Sequence, residues 1–364
     1  MNNNHRFPFR WRLADGYPAK GIEPHHKTVF GTFVCGGGST MGYKLAGFDH
    51  LGGVELDPTI ADIYQRNHHP KHLYNLDIRD FNNLQDLPPE LYQLDLLDGS
   101  PPCSTFSMQG KREKAWGQTK QFAEGQKLQR LDDLVFVYCD TILKLRPKCF
   151  LLENVSGLIK GNGKVYCKKI VHYMKLHGYT SQVFLLNSAS MGVPQMRERV
   201  FIIGHQAELT LPPLTLNFNE PPILFSECIS QGHHRPLSGI SLERWNHRRP
   251  ADRSMGNIAK RLSGKGSNFS TRIIVSDEVC PTLTTGVNAL YDQPVYMNAD
   301  EVRDDSTFPQ DYDFTGKSAD FLCGMSVPPV MTAQIAHQIY LQWLKHIPLI
   351  SYHLQTDEQQ TKRF

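Results

Sequence analysis

The chain has 364 residues, 40% hydrophobic and 21% charged, and its 39 Lys/Arg against 36 Asp/Glu leave a net charge of only +3. That balance supplies a core for one large domain or two and excludes a histone-like polycation and an acidic disordered tail. Eight cysteines without a C-x-x-C spacing predict no cysteine zinc site and no disulfide scaffold, and the lack of a signal-peptide core or bilayer-length apolar run predicts a cytoplasmic protein with reduced thiols, no metal and no membrane contact.

Residues 1–27 are polar and proline-containing, and they read as an arm without an element of their own. From Lys27, TVFGTFV is a β-prone run ending at Gly36-Gly37-Gly38, and MGYKLAGF reads as a helix leading to a turn. LGGVELD is a second buried strand, followed by PTIADIYQRN with proline in a helix's first turn. LYQLDLLDGSPP is a strand entering a proline-stiffened loop, LDDLVFVYCDTILKL has helical spacing, and CFLLENV is a further strand. A helix over 164–177 precedes two more strands, YTSQVFLLN and RVFIIG. Strands alternating with helices over short links predict an α/β fold, a parallel sheet with helices on both faces.

That rhythm stops near His205. Up to about Cys280 the chain is rich in proline, glycine and arginine, with no long amphipathic helix, and residues 231–275 hold nine Lys/Arg against Glu243 and Asp252. Two readings fit: a solvated surface insertion, or a nucleic-acid face with Trp245 and Phe269 as stacking or wedge groups. After Pro328 comes a clear helix, VMTAQIAHQIYLQWLKH, and then a polar tail. There are no internal repeats.

A glycine-rich turn between strand and helix lets backbone N–H groups approach a ligand closely. The dinucleotide fingerprint fails here, because Met41 stands where its last glycine belongs, and a phosphate loop fails at Tyr43, where lysine is required. A ligand without a phosphate on this loop remains, such as S-adenosylmethionine. Glu55, at the end of the second strand, could accept both ribose hydroxyls, and Asp77-Ile78 could hold and cover an adenine.

The sharpest local feature is Cys103, which follows Pro101-Pro102 at the carboxyl end of a strand, where parallel sheets place their sites. Most lone cysteines are small buried hydrophobes, but proline holds this thiol with little freedom. Glu153 leaves a buried strand partly desolvated, which raises its pKa and suits it to donate a proton. Arg197 and Arg199 alternate on an extended chain and so aim two cations one way, at the site or along a surface salt-bridge ladder.

Together these motifs resemble the cytosine carbon-5 DNA methyltransferase family, in the family's own order, from about residue 28 to 346. F-V-C-G-G-G-S-T-M-G-Y-K-L-A-G-F resembles its cofactor loop; P-P-C, E-N-V and Q-x-R-x-R resemble its catalytic motifs. C-P-T-L-T-T-G near 280 and G-M-S-V-P-P at 324–329 resemble its last two. Cys35 stands where the family has the loop's first glycine, Ser104 where it has glutamine, and Met325 where it has asparagine.

The resemblance implies an S-adenosylmethionine-dependent, Rossmann-like sheet with a smaller, irregular recognition domain. It implies catalysis by Cys103, Glu153, Arg197 and Arg199, with the thiolate attacking carbon 6 of a flipped cytosine and methyl transfer to carbon 5. Cofactor contacts fall to Phe33, Val34, Gly36, Gly37, Gly38, Glu55, Leu56, Asp77, Ile78 and Ser326. Double-stranded DNA would meet Gln195, Arg235, Arg244, Arg248, Arg249, Arg253, Lys260 and Arg261. The expected division is an arm (1–27), a catalytic domain (28–228), a target-recognition domain and hinge (229–317), a returning motif and helix (318–347) and a tail (348–364). A monomer is expected, with a restriction endonuclease of the same site as a further partner. A tRNA cytosine methyltransferase and a non-catalytic DNA-binding scaffold are the alternatives.

Overall fold

The computed structural model describes residues 5–102, 134–161, 163–266 and 271–347, so the expectations on Cys103, Ser104 and Phe269 lie outside the described residues. The first half runs β1 (Thr28–Thr32), α1 (Gly38–Leu45), β2 (Asp49–Val54), α2 (Pro58–His68), β3 (His72–Tyr74) and α3 (Ile78–Asn83). It continues with β4 (Leu96–Gly99), α4 (Leu134–Leu145), β5 (Cys149–Val155), α5 (Gly163–Leu176), β6 (Tyr179–Asn187), β7 (Gln195–Met196) and β8 (Glu198–Gln206). Seven of these strands form one sheet in the order β3-β2-β1-β4-β5-β8-β6.

The wholly parallel sheet expected from the alternation is corrected: β8 runs antiparallel to both β5 and β6. The reason is length. A parallel return needs a crossover of a dozen or more residues, and the stretch between Asn187 and Glu198 is too short to provide one. The parallel part, β3 to β5, keeps its strand ends together on one edge, and the loops after β1, β2, β4 and β5 converge there.

Local chemistry sets the helix starts. Asp57 caps α2, its carboxylate accepting the N–H groups of Thr59 (2.8 Å) and Ile60 (3.2 Å), with Pro58 in the first turn. Phe30, Leu97, Phe150, Leu152 and Ile202 send side chains to one sheet face, against α3, α4 and α5. Val29, Leu96, Leu151 and Ile203 line the other, under α1 and α10 (Pro329–Gln342). A Cβ on Gly42 would lie 2.5 Å from the Pro329 carbonyl oxygen, so these two helices touch at their backbones.

The basic stretch folds as α6 (Gly239–Asn246), α7 (Met255–Ser263), β9 (Ile273–Ile274), β10 (Cys280–Pro281) and β11 (Ala289–Leu290). Leu237, Trp245, Met255, Ile258, Ile273 and Ala289 give it a small core of its own. Two helices, α8 (Ala299–Asp305) and α9 (Ala319–Met325), lead back to α10.

The arm also departs from expectation. Phe7 and Trp11 are buried, and Leu13–Asp15 form a 3-10 turn. The Trp11 indole donates to the Thr307 carbonyl (2.9 Å), Arg10 pairs with Asp304 (2.6 Å), and Asp311 accepts the N–H groups of Leu13 and Ala14. Polarity concealed this, because the anchoring residues, Phe7, Phe9, Trp11, Leu13, Tyr17 and Ile22, are spread singly and form no continuous apolar run. Among the described residues no helix is long and apolar enough to cross a membrane.

Candidate active site

At the end of β1 the chain turns through left-handed residues, with φ of +56° at Phe33, +47° at Cys35 and +80° at Gly37. A glycine takes that conformation freely, whereas Phe33 and Cys35 hold it against steric cost. Fixed contacts on every side keep it in place. The Val34 N–H donates to Val54, and the Ser100 hydroxyl donates to the Phe33 carbonyl (3.3 Å). The Gly36 carbonyl accepts from both the Tyr312 hydroxyl (2.6 Å) and His68 Nε2–H (3.0 Å). Burial holds His68 well below the usual imidazole range, down to about 3, so it is neutral and can serve as that donor.

Gly37 must lack a side chain because a Cβ would fall 2.0 Å from His68. Gly38 must lack one because the Val327 carbonyl oxygen would be 2.3 Å away. The end of α9 thus closes over the glycine turn, and it brings Ser326, whose buried hydroxyl has no partner among the described residues. Met325, by contrast, is exposed.

Glu55 follows β2 and faces the same turn, its carboxylate accepting from the N–H groups of Cys35 and Asp57, both at 2.9 Å. Burial raises its pKa, while those two N–H groups favour the charge. Asn75 holds the carbonyls of Glu55 (2.8 Å) and Leu56 (3.0 Å). Asp77 caps α3 and pairs with Arg79, while Ile78 packs into the core beneath. A carboxylate, an orphan hydroxyl and a side-chain-free turn suit a neutral ribose and an amino-acid moiety, so the donor set fits S-adenosylmethionine.

The second half of the site comes from β5 and β8. Glu153 lies opposite Phe201, so Arg199 is its diagonal neighbour across the antiparallel pair, and Arg199 Nε meets the carboxylate at 2.9 Å. Burial raises the Glu153 pKa, and Arg199 and then Arg197 oppose that rise. Arg197 is 2% exposed and spends its guanidinium on backbone carbonyls, those of Leu283 (3.2 Å) and Gly324 (3.0 Å), and its Nε has no partner among the described residues. Arg199, not Arg197, is therefore the arginine in contact with the glutamate. Asn154 reaches the Pro101 carbonyl (3.3 Å) and ties this strand end to the Pro101-Pro102 loop.

Two groups expected at a nucleic-acid face are buried instead. Gln195 is 1% exposed; its amide accepts from Leu283 N–H (3.3 Å) and donates toward Asp305 and Ser306, joining β7 to β10. Trp245 is a core residue whose indole donates to the Leu290 carbonyl (2.8 Å). Of the expected cations, Arg248 stacks on Trp245 and donates to Tyr291, Arg253 pairs with Glu278 (2.5 Å), and Arg261 pairs with Asp252 (2.6 Å). Arg235 lies over the Tyr296 ring. Arg249 and Lys260 are exposed and Arg244 half-exposed, and none has a side-chain partner among the described residues. Sequence reading missed His68 and Tyr312, neither of which carries a local motif.

Comparison with known proteins gives one family model, C-5 cytosine-specific DNA methylase, matching residues 28–304. The type II methyltransferase M1.HphI of Haemophilus parahaemolyticus is 27% identical over 339 residues, covering 86% of each chain. M.FnuDI of Fusobacterium nucleatum is 32% identical over 183 residues, 49% of this chain and 47% of that protein. Among solved structures, an E. coli prophage protein assigned as a DNA modification methyltransferase superposes with a TM-score of 0.62 at 17% identity, over 87% of this chain and 99% of that one. Spodoptera frugiperda DNMT2 gives 0.60 at 16%, over 86% and 99%.

Proposed function

The chain belongs to the C-5 cytosine-specific DNA methylase family, and from that premise we propose that it methylates a cytosine flipped out of one specific duplex sequence, through a covalent bond between Cys103 and carbon 6. Carbon 5 of cytosine is too weak a nucleophile to take a methyl group unaided. Addition of the Cys103 thiolate to carbon 6 makes carbon 5 enamine-like. Glu153 gives a proton to ring N3 and accepts from the exocyclic amine, which offsets the charge that builds up during attack. Arg199 orients Glu153, and buried Arg197 adds positive potential that favours the thiolate. Loss of the carbon-5 proton to water, return of the N3 proton to Glu153 and expulsion of the Cys103 thiolate then restore the aromatic ring.

S-adenosylmethionine, when bound, supplies an electrophilic methyl on sulfur. Glu55 would hold its ribose, Asp77 and Ile78 its adenine, and the turn from Phe33 to Gly38 with Ser326 its amino-acid end. Phosphate contacts fall to the cations without a side-chain partner among the described residues, Arg244, Arg249, Lys260, Lys265 and Arg272, together with Arg235. The type II relatives make a restriction endonuclease of the same site the second partner to seek.

The observation that carries this reading is the Glu153–Arg199 pair at 2.9 Å, beside Arg197 and one strand from the Pro101-Pro102 loop. The test is transfer of labelled methyl to unmethylated genomic DNA and to bulk tRNA, with wild type and Cys103→Ala. Label on carbon 5 of DNA cytosine, abolished in the variant while DNA binding persists, is expected. A variant that still methylates overturns the covalent route, and label on tRNA alone overturns the substrate.

A further inference from the structure

The arm precedes the stretch that matches the family model, and the site takes no residue from it. Both of its ends are fixed to the main body. Phe7 is fully buried and meets His337 of α10 edge-on, and His5 pairs with Glu220 (2.7 Å), which also accepts from Gln334 of α10. Further along, Lys44 of α1 lies over the Tyr17 ring, and the Ala19 N–H donates to the Leu45 carbonyl (3.0 Å).

Between those anchors the arm spans a junction. The chain enters the lobe carrying α6 and α7 just after Glu227 and finally leaves it through α8. One guanidinium, that of Arg10, holds both places: Nη2 donates to the Glu227 carbonyl (2.5 Å) and Nε to the Asp304 carboxylate (2.6 Å). Beside it the Trp11 indole donates to the Thr307 carbonyl (2.9 Å), and the Trp11 carbonyl accepts from the Gln310 N–H (2.8 Å). One turn earlier on α8, the buried Glu301 accepts from the Ser230 N–H (3.3 Å) and pairs with His234 (2.9 Å). The lobe thus grips α8 on one turn and the arm grips it on the next.

We propose that Arg10 and Trp11 are positioning residues: they set where the α6–α7 lobe stands relative to the site, so that bound DNA delivers its cytosine to Glu153 in register. The inference rests on the reading that this lobe binds the duplex. Pairing of β10 with β7 is a second tie between lobe and body, so losing the arm's grip lets the lobe pivot without detaching it. A misplacement of about 1 Å at the reacting atoms can cost on the order of a hundredfold in rate.

The experiment measures kcat/KM for methyl transfer to unmethylated genomic DNA with wild type, Arg10→Ala and Arg10→Lys. S-adenosylmethionine binding by calorimetry and the salt dependence of DNA binding are measured in parallel. Arg10→Ala should fold, because Asp304 keeps Arg303 (3.4 Å) and Asp311 keeps the N–H groups of Leu13 and Ala14. Its kcat/KM on DNA should fall about tenfold, while cofactor affinity, cofactor stoichiometry and the salt slope stay as in wild type. Arg10→Lys leaves Asp304 its cation but lacks the planar fork that reaches both partners, so it should hold Tm without restoring kcat/KM.

Equal losses of methylation and cofactor binding mean a general loss of structure and overturn the proposal, and full rescue by lysine overturns it too. A salt slope lower by about 0.9 makes Arg10 a phosphate contact instead, with the same consequence. Should both Arg10 variants fail to fold, Trp11→Phe keeps a ring and drops the donor to Thr307. A smaller loss of the same pattern is then expected, and no loss overturns the proposal. Replacing Arg249, Lys260, Lys265 and Arg272 by Gln separates the two layers. If that weakens DNA binding while Arg10→Ala methylates like wild type, only the arm's role falls; if it changes nothing, the reading of the lobe falls as well.

Discussion

Glu55 and Asp305 are both buried acids, with opposite supports. Glu55 is held by two backbone N–H groups that orient it toward the glycine turn. Glu55→Gln keeps one acceptor oxygen and loses the charge, and S-adenosylmethionine affinity should fall at least tenfold by calorimetry, with Tm nearly unchanged. Asp305 faces the thiols of Cys280 and Cys228 and, among the described residues, no N–H or O–H donor, and burial pushes it up to about 8. Its folded pKa lies above the unfolded value near 3.8, so the folded state binds the extra proton between those two values. Stability should fall as pH rises from about 4 to 8 and level off beyond, and Asp305→Asn should flatten that slope in denaturant melts at pH 5 and pH 8.5. Glu55 and Glu153 stood out because each comes directly after an apolar run, although Glu153 lies within β5 itself. His68 and Tyr312 did not: they reach the Gly36 carbonyl from α2 and from beyond α8, and nothing near either residue in sequence announces that meeting.

At the scale of elements, alternation of apolar runs located the strands and helices well, since burial on both faces demands such runs. It could not tell direction, which depends on the length of a link, and so the antiparallel β8 went unread. Backbone contact between α1 and α10 was equally hidden, because a glycine in a helix carries no sign of what presses on it. Gly42→Val tests that contact. Its Cβ would meet the Pro329 carbonyl at 2.5 Å and the Thr332 side chain beside it, so the helices must separate. A loss of about 2 kcal/mol or more is expected from chemical denaturation, with cofactor affinity falling alongside, because α10 follows directly on Ser326. Gly286→Ala, where nothing lies within 4 Å and the backbone is not left-handed, is the control for an ordinary glycine change.

Over the whole molecule the charge is nearly balanced, yet the lobe carrying α6 and α7 concentrates cations. Composition marked that concentration but could not sort it, because pairing is a property of the folded surface. Arg253 and Arg261 are held by carboxylates of the same lobe, whereas Arg249, Lys260, Lys265 and Arg272 are exposed without partners among the described residues. Replacing those four by Gln should weaken DNA binding and lower the slope of log K against log salt by up to about 0.9 for each lost phosphate contact, with Tm unchanged. Arg261→Gln should do the reverse, lowering Tm through Asp252 and moving the salt slope little.

The glycine turn near the front of the chain is shut by the segment from Ser326 to Pro329, which is made some 290 residues later. A ribosome-bound chain can pair β1 to β5 early, but it must wait for α9 and α10 before the turn has its cover. The proposed cofactor site is thus completed only by residues far downstream of the turn they cover.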